Sequence, residues 1–192
     1  MALRLFIAVE LPEPWREAAR AARAEIEREV GAPVAASMRW VDPTLMHLTV
    51  RFVGEIDEPG LAPLREALDR VVPPVDVELT IDGAGTFGPP ARTDAAWIGV
   101  CGDVDGLRAL VERVEAAVVA AGLPPEERTF RAHVTLARLG RRASRDERRA
   151  VARVVAGLTR PPRASFHARS VALVRSHLGR GGPRYEVRSR HG

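Results

Sequence analysis

Two short stretches of the chain carry the same pattern of chemistry-bearing residues. His47-Leu48-Thr49-Val50 and His133-Val134-Thr135-Leu136 each read histidine, apolar, threonine, apolar. Histidine titrates near pH 6.5, so at neutral pH one imidazole can accept a proton while another donates one. Two imidazoles facing across a cleft form a general acid–base pair. Such a pair suits displacement at phosphorus with neither a metal nor a covalent nucleophile. One histidine deprotonates the attacking oxygen and the other protonates the leaving oxygen. Threonine hydroxyls two residues on would donate to the non-bridging oxygens, and a nearby arginine would offset the developing charge.

Other chemistries are poorly served. Zinc usually takes three or four His, Cys or carboxylate ligands. Neither stretch carries an acidic residue two or four positions after its histidine, and the nearest, Glu55 and Glu127, lie outside the strands. Cys101 is the only cysteine, so no intramolecular disulfide or cysteine zinc cluster can form; it reads as a small buried hydrophobe after a strand. There is no Gly-x-Ser-x-Gly and no Gly-x-x-x-x-Gly-Lys-Ser/Thr. No metal and no cofactor are expected. A single His-x-Thr arises often by chance. Two copies in matching places of a repeated layout weigh much more.

The positioning elements follow from local pattern. Both stretches are rich in large and β-branched apolar residues and read as strands. On a strand, residues two apart share a face. His47 and Thr49 then point one way, with Leu48, Val50 and Phe52 pointing into a core. His133 and Thr135 likewise oppose Val134 and Leu136. Leu3 to Leu11 reads as a buried strand, Trp15 to Val30 as a helix ended by Gly31 and Pro33, and Met38 to Val41 as a brief extended piece. A helix is expected over Leu61 to Val72, closed by Pro73-Pro74. Val75 to Ile81 alternates as a half-buried strand does, Asp82 to Asp94 reads as a glycine-rich loop, and Ala95 to Val100 as a strand. Val104 to Ala121 is the longest amphipathic helix, with Leu107, Leu110, Val111, Val114 and Val118 on one stripe. Ser144 and Glu147 form a capping box that opens a helix to about Val155. Pro161-Pro162 ends that section. Ala164 to Val174 is one strand or a strand pair, Gly179 to Pro183 a tight turn, and Tyr185 to Arg190 a last strand.

Read as a list, strand, helix, His-x-Thr strand, helix, strand occurs twice in that order. This points to an internal duplication, with pseudo-repeats at roughly 1–82 and 95–175 and a strand at 184–190 completing a sheet. Two related lobes meeting across a pseudo-two-fold axis would bring both motif strands to one cleft.

Composition sets the outer bounds. The chain has 192 residues, suited to a single domain of two lobes, and at 46% hydrophobic it can bury a real core. No apolar run reaches the length of a membrane span, and the opening residues lack a signal-peptide pattern, so no membrane association and a cytoplasmic location are expected. Net charge is +4, and all 29 basic residues are arginine. Guanidinium groups pair bidentately with phosphate, so the bias fits an anionic partner as well as it fits a compositional habit.

The sequence resembles the two-histidine phosphoesterase superfamily, and within it the bacterial and archaeal RNA 2′,3′-cyclic phosphodiesterases, long called 2′-5′ RNA ligases. Besides the motifs, Arg4-Leu5-Phe6-Ile7-Ala8-Val9 is similar to the family's first strand. Arg39-Trp40-Val41-Asp42-Pro43 is similar to its approach to the first motif, Phe130 to Arg138 to its second block, and Ser176 through Gly181-Gly182-Pro183-Arg184-Tyr185 to its C-terminal hairpin. The resemblance implies an α+β, bilobal fold: two antiparallel sheets face a central cleft, with helices outside. It implies metal-independent hydrolysis of RNA or nucleoside 2′,3′-cyclic phosphate ends to 2′-phosphates. It assigns His47 as proton donor and His133 as proton acceptor, with Thr49, Thr135 and Arg138 binding phosphate. The partner would be RNA or an oligonucleotide, bound by a monomer. Reversible 2′-5′ joining of RNA ends and a non-catalytic RNA- or nucleotide-binding module are the alternatives. Ala132 departs from the family, where proline is common.

Several residues have two readings. Five positions after His133, Arg138 falls on the wrong face of a regular strand, so Arg131 competes with it for the phosphate. Phe6 reads as core, or as a stacking platform for a terminal base. Trp40 and Trp97 read as core or cleft wall, and Trp15 as packing. His167 and His177 lack a threonine partner and read as structural or exposed. His191, near the terminus, is expected to be disordered. The arginines between Arg138 and Arg153 form either a solvated, ion-paired face or a basic rim for RNA.

Overall fold

The computed structural model describes residues 2–72, 75–158, 164–179 and 182–192. In chain order the first half contains β1 (Leu3–Glu10), α1 (Glu13–Val30), the single turn α2 (Ala32–Ala35), β2 (Met38–Trp40), β3 (His47–Ile56), α3 (Glu58–Val71) and β4 (Val77–Phe87). The second half contains β5 (Ala95–Gly102), α4 (Val104–Ala120), β6 (His133–Leu139), α5 (Arg145–Ala156), β7 (Ser165–Ala168), β8 (Val171–Gly179) and β9 (Gly182–His191). The helices lie in the expected stretches, with α1 and α3 starting two to three residues earlier than expected, at Glu13 and Glu58. Asp57 and Asp103 cap α3 and α4 by accepting from the amides of Gly60 and Gly106, and Ser144 and Glu147 close a reciprocal capping box on α5. The breaks expected at Pro73-Pro74 and Pro161-Pro162, and the centre of the turn after Gly179, lie outside the described residues.

The strands form two antiparallel sheets, as expected for this α+β chain. One has the order β3-β1-β8-β9, the other β2-β6-β5-β4-β7. Residues 1–82 and residues 95–192 each supply strands to both sheets. β4 crosses to lie beside β5, and β8 crosses to lie beside β1. Alternation in β1 buries Leu3, Leu5, Ile7 and Val9 in the main core. Phe6 and Ala8 point the other way and form a small separate cluster with Ala172, Val174 and Tyr185. Helices cover the core faces: α3 and α4 lie against β9 and β3, while α5 packs on β4 and β5. Trp15 of α1 is fully buried, donates from Nε1 to the Ala164 carbonyl at 2.9 Å and meets Phe166 edge-on.

Three expectations are corrected. The stretch 82–87 is strand, not loop: β4 runs to Phe87 and absorbs its glycines as a bulge between Ile81 and Ala84. Gly83 takes a φ of 72° there, and a Cβ on Gly85 would come within 2.3 Å of the Trp97 ring, so the glycines let the ring lie flat on the strand. His191 is ordered and buried, not frayed. It is the last residue of β9, with Nδ1 2.6 Å from an Asp69 carboxylate oxygen and Nε2 2.8 Å from Ser189 Oγ. Pairing of β9 to β8 as far as Val171 and His191 ties that end down. Cys101 lies within β5 and is half-buried.

Candidate active site

Each motif strand contains one extra residue just after its threonine. In the β1–β3 ladder, Ile7 pairs with Arg51 and the next residue, Ala8, with Thr49, so Val50 is left over. In the β5–β6 ladder, Ala96 pairs with Ala137 and Trp97 with Thr135, so Leu136 is left over. A bulge of this kind shifts the alternation of faces by one residue. Val50 and Arg51 are therefore both buried, as are Leu136 and Ala137. Beyond them, Phe52 and Arg138 turn back to the face that carries the histidines. The expectation that Phe52 points into the core is thus overturned: it is 44% exposed and lines the cleft.

His47, Thr49, His133, Thr135 and Arg138 all line one cleft of about 630 Å³ between the sheets. The histidines are held alike. His47 Nδ1 lies 2.8 Å from the Leu45 carbonyl, and His133 Nδ1 lies 2.7 Å from the Arg131 carbonyl. A carbonyl only accepts, so Nδ1 carries the proton in both rings and Nε2 is left for a ligand. Aromatic rings fix the planes. Phe6 stacks on His47 with centroids 4.6 Å apart, and Tyr185 meets it edge-on at 5.4 Å. Phe87 meets His133 edge-on at 4.7 Å, with Trp97 behind at 6.2 Å. Phe6 is therefore buried against a histidine on the cleft face, neither in the main core nor free to stack on a base.

Both imidazoles are held below their ordinary pKa. For His47 the first cause is burial, opposed by the bond to Leu45, with His133 and Arg138 adding positive charge nearby. For His133 it is again burial, opposed by the bond to Arg131, with Arg138 and then Arg131 adding to the effect. Arg138 acts on both rings, as a cation placed between them does. Arg131 acts on His133 alone and is not among the residues lining the cleft. No hydrogen-bond partner within the protein occupies the Thr49 or Thr135 hydroxyl or the Arg138 guanidinium among the described residues.

Some site residues were not foreseen. Arg128, on the segment leading to β6, lines the cleft with its guanidinium 5.6 Å from the Phe52 ring centroid and held by Glu126. That segment is tied to β3 by Arg51, which pairs with Glu115 and donates to the carbonyls of Phe52 and Pro124. The equal offset of Phe52 and Arg138 from their histidines was the available signal. His167 and His177 stand apart, paired with Asp76 and Glu186. Among the described residues, no group of three or more His, Cys, Asp or Glu is placed to hold a metal ion, and no helix is long and apolar enough to cross a membrane.

Two antiparallel sheets that set a His-x-Thr strand on either side of one cleft define a phosphoesterase-like architecture with paired histidines. The chain belongs to the 2′-5′ RNA ligase superfamily, whose family model matches residues 7–180. It is 32% identical to an RNA 2′,3′-cyclic phosphodiesterase of Aeropyrum pernix over 161 residues, covering 83% of this chain and 89% of that protein. A protein of the same description from Methanothermobacter thermautotrophicus is 27% identical over 96% of each chain. Among solved structures, Escherichia coli LigT complexed with 3′-AMP superposes with a TM-score of 0.76 at 26% identity, covering 99% of this chain and 97% of that one. TT0787 of Thermus thermophilus superposes with a TM-score of 0.75, also at 26% identity, over 98% and 96%.

Proposed function

We propose that this protein hydrolyses 2′,3′-cyclic phosphate ends of RNA or nucleosides to 2′-phosphates. The observation that carries the reading is the matched pair of imidazoles, each with Nδ1 tied to its own backbone and Nε2 left for one shared cleft. Relatives named RNA 2′,3′-cyclic phosphodiesterase support the substrate class. His133 takes a proton from water as its oxygen attacks phosphorus. The bond to the 3′ oxygen breaks, and His47 protonates that oxygen as it leaves. Thr49 and Thr135 donate to the non-bridging oxygens, and Arg138 offsets the added negative charge. Both free imidazoles are mostly neutral at pH 7, as the base must be; the anionic phosphate favours protonation of His47, the acid. Phe52, exposed beside Arg128, offers the terminal base a face to stack on.

Incubation with nucleoside 2′,3′-cyclic phosphates in the presence of chelator tests the reading. The expected product is the 2′-phosphate, and His47→Ala or His133→Ala should each reduce kcat by about 10²- to 10⁴-fold. Formation of the 3′-phosphate, or turnover indifferent to both changes, contradicts it.

The molecule is further read as one bilobal domain duplicated over roughly 1–82 and 95–175, acting as a cytoplasmic monomer. The matched strand orders β3-β1-β8-β9 and β6-β5-β4-β7 support the duplication.

A further inference from the structure

A second concavity lies outside the cleft. A groove of about 840 Å³ lies over the outer edge of the five-stranded sheet, lined by Arg39, Arg141, Arg142 and Glu147 among others. β2 is the edge strand there, and its Arg39 pairs directly across from Arg138 of β6. Cross-strand partners project from the same face, so two arginine side chains leave the sheet as neighbours, a pairing of like charges that is normally avoided. One of them lines the cleft and the other lines the groove, so this pair joins the two concavities.

The charge balance of the groove is one-sided. Arg39, Arg141 and Arg142 are exposed and have no carboxylate partner among the described residues. Glu147 keeps its negative charge while accepting from the Ser144 amide at 2.6 Å in the capping box, so it offsets one of the three guanidiniums and leaves the groove net basic. Two of the four arginines of α5 are spent differently. Arg149 pairs with Asp146, and Arg148 donates to the carbonyls of Thr93, Ala143 and Gly140. The region thus carries both ion-paired arginines and exposed arginines without a carboxylate partner among the described residues, on different residues.

We propose that the groove is a binding track for the RNA backbone upstream of the reacting end, with Arg39, Arg141 and Arg142 holding successive phosphodiesters. This rests on the hydrolytic reading of the cleft. An RNA whose terminal phosphate sits by Arg138 meets Arg39 next and then the groove. A mononucleotide fills the cleft alone and never reaches it.

The test compares the wild type with the R39Q/R141Q/R142Q variant on two ligands, a nucleoside 2′,3′-cyclic phosphate and a single-stranded hexanucleotide. Turnover is measured with the hexamer bearing the cyclic end, and affinity with the hexamer bearing a 2′-phosphate, from 50 to 300 mM salt. The variant should bind the hexamer about tenfold more weakly at low salt. Its log–log salt slope should flatten by about 2, at about 0.7 for each single-strand phosphate that the variant no longer neutralises. Its turnover of the mononucleotide should be unchanged. An unaltered hexamer slope overturns the proposal, and so does equal damage to both ligands. Equal weakening toward a glutamate hexapeptide overturns it too, since that marks a general anion surface. If the wild type turns over neither cyclic phosphate, the hydrolytic reading fails, and the hexamer affinities still decide the groove.

Discussion

Phe52 and Arg138 occupy corresponding places in the two motif strands, each five positions after its histidine and each brought to the cleft by one bulged residue. One wall of the cleft thereby gains an aromatic ring and the other a cation. The backbone device is shared while the side-chain chemistry differs, which gives a near-symmetric frame an asymmetric site. A ribose-linked base and a phosphate need that difference.

Burial first, and Arg138 in addition, should shape the pH dependence. With both imidazoles held below 6.5, the kcat/KM profile for a cyclic nucleotide should peak on the acid side of pH 6.5. A nearby guanidinium disfavours each imidazolium, so its removal in Arg138→Gln raises both values. The whole bell should therefore move to higher pH while its height falls. A profile that loses height without moving contradicts the placement of this charge.

The same depressed values predict acid sensitivity of the fold. Unfolding releases His47 and His133 to their ordinary pKa, so below about pH 6.5 the unfolded chain binds more protons. Stability should fall as pH drops from there through the folded values, by up to about 1.4 kcal/mol per pH unit for each histidine. His47→Gln removes one of these contributions. The gap in denaturant midpoint between wild type and H47Q should shift in favour of H47Q between pH 7 and pH 5.

Phe52→Ala should raise KM for a cyclic nucleotide about tenfold, in the range of 1–3 kcal/mol known for base–aromatic stacking, and leave kcat nearly intact. Phe52→Trp should preserve KM. Steady-state kinetics on one purine and one pyrimidine substrate separate the two outcomes. A fall in kcat with KM unchanged would place the ring against the reacting atoms instead.

Arg51 is 8% exposed and joins β3 to Glu115 of α4 and to the segment leading to β6. Arg51→Ala removes the guanidinium donor from a partly buried carboxylate and from the carbonyls of Phe52 and Pro124. The cost should be about 3 kcal/mol, read as a lower urea midpoint. Arg128 rides on the anchored segment, so activity should fall as well, through KM. Glu115→Gln keeps a hydrogen-bonding group there and should cost less.

Much of this was legible in the chain alone. The spacing His47-x-Thr49 and His133-x-Thr135 implied strands, a shared face and a proton-transfer pair, because strand periodicity is a local property. The capping box at Ser144, Gly31 after α1 and the apolar stripe of α4 placed helices for the same reason. What local pattern cannot register is a residue added to one strand and not to its neighbour. The bulges at Val50 and Leu136 exist only relative to β1 and β5, and they alone turned Phe52 outward and brought Arg138 within range of both histidines. The burial of His191 and the meeting of Arg39 with Arg138 likewise depend on which strands lie side by side. The sequence by itself determined which residue types recur at a spacing suited to chemistry and which elements carry them. The tertiary structure decided which face each presents, because register is a relation between strands far apart in the chain.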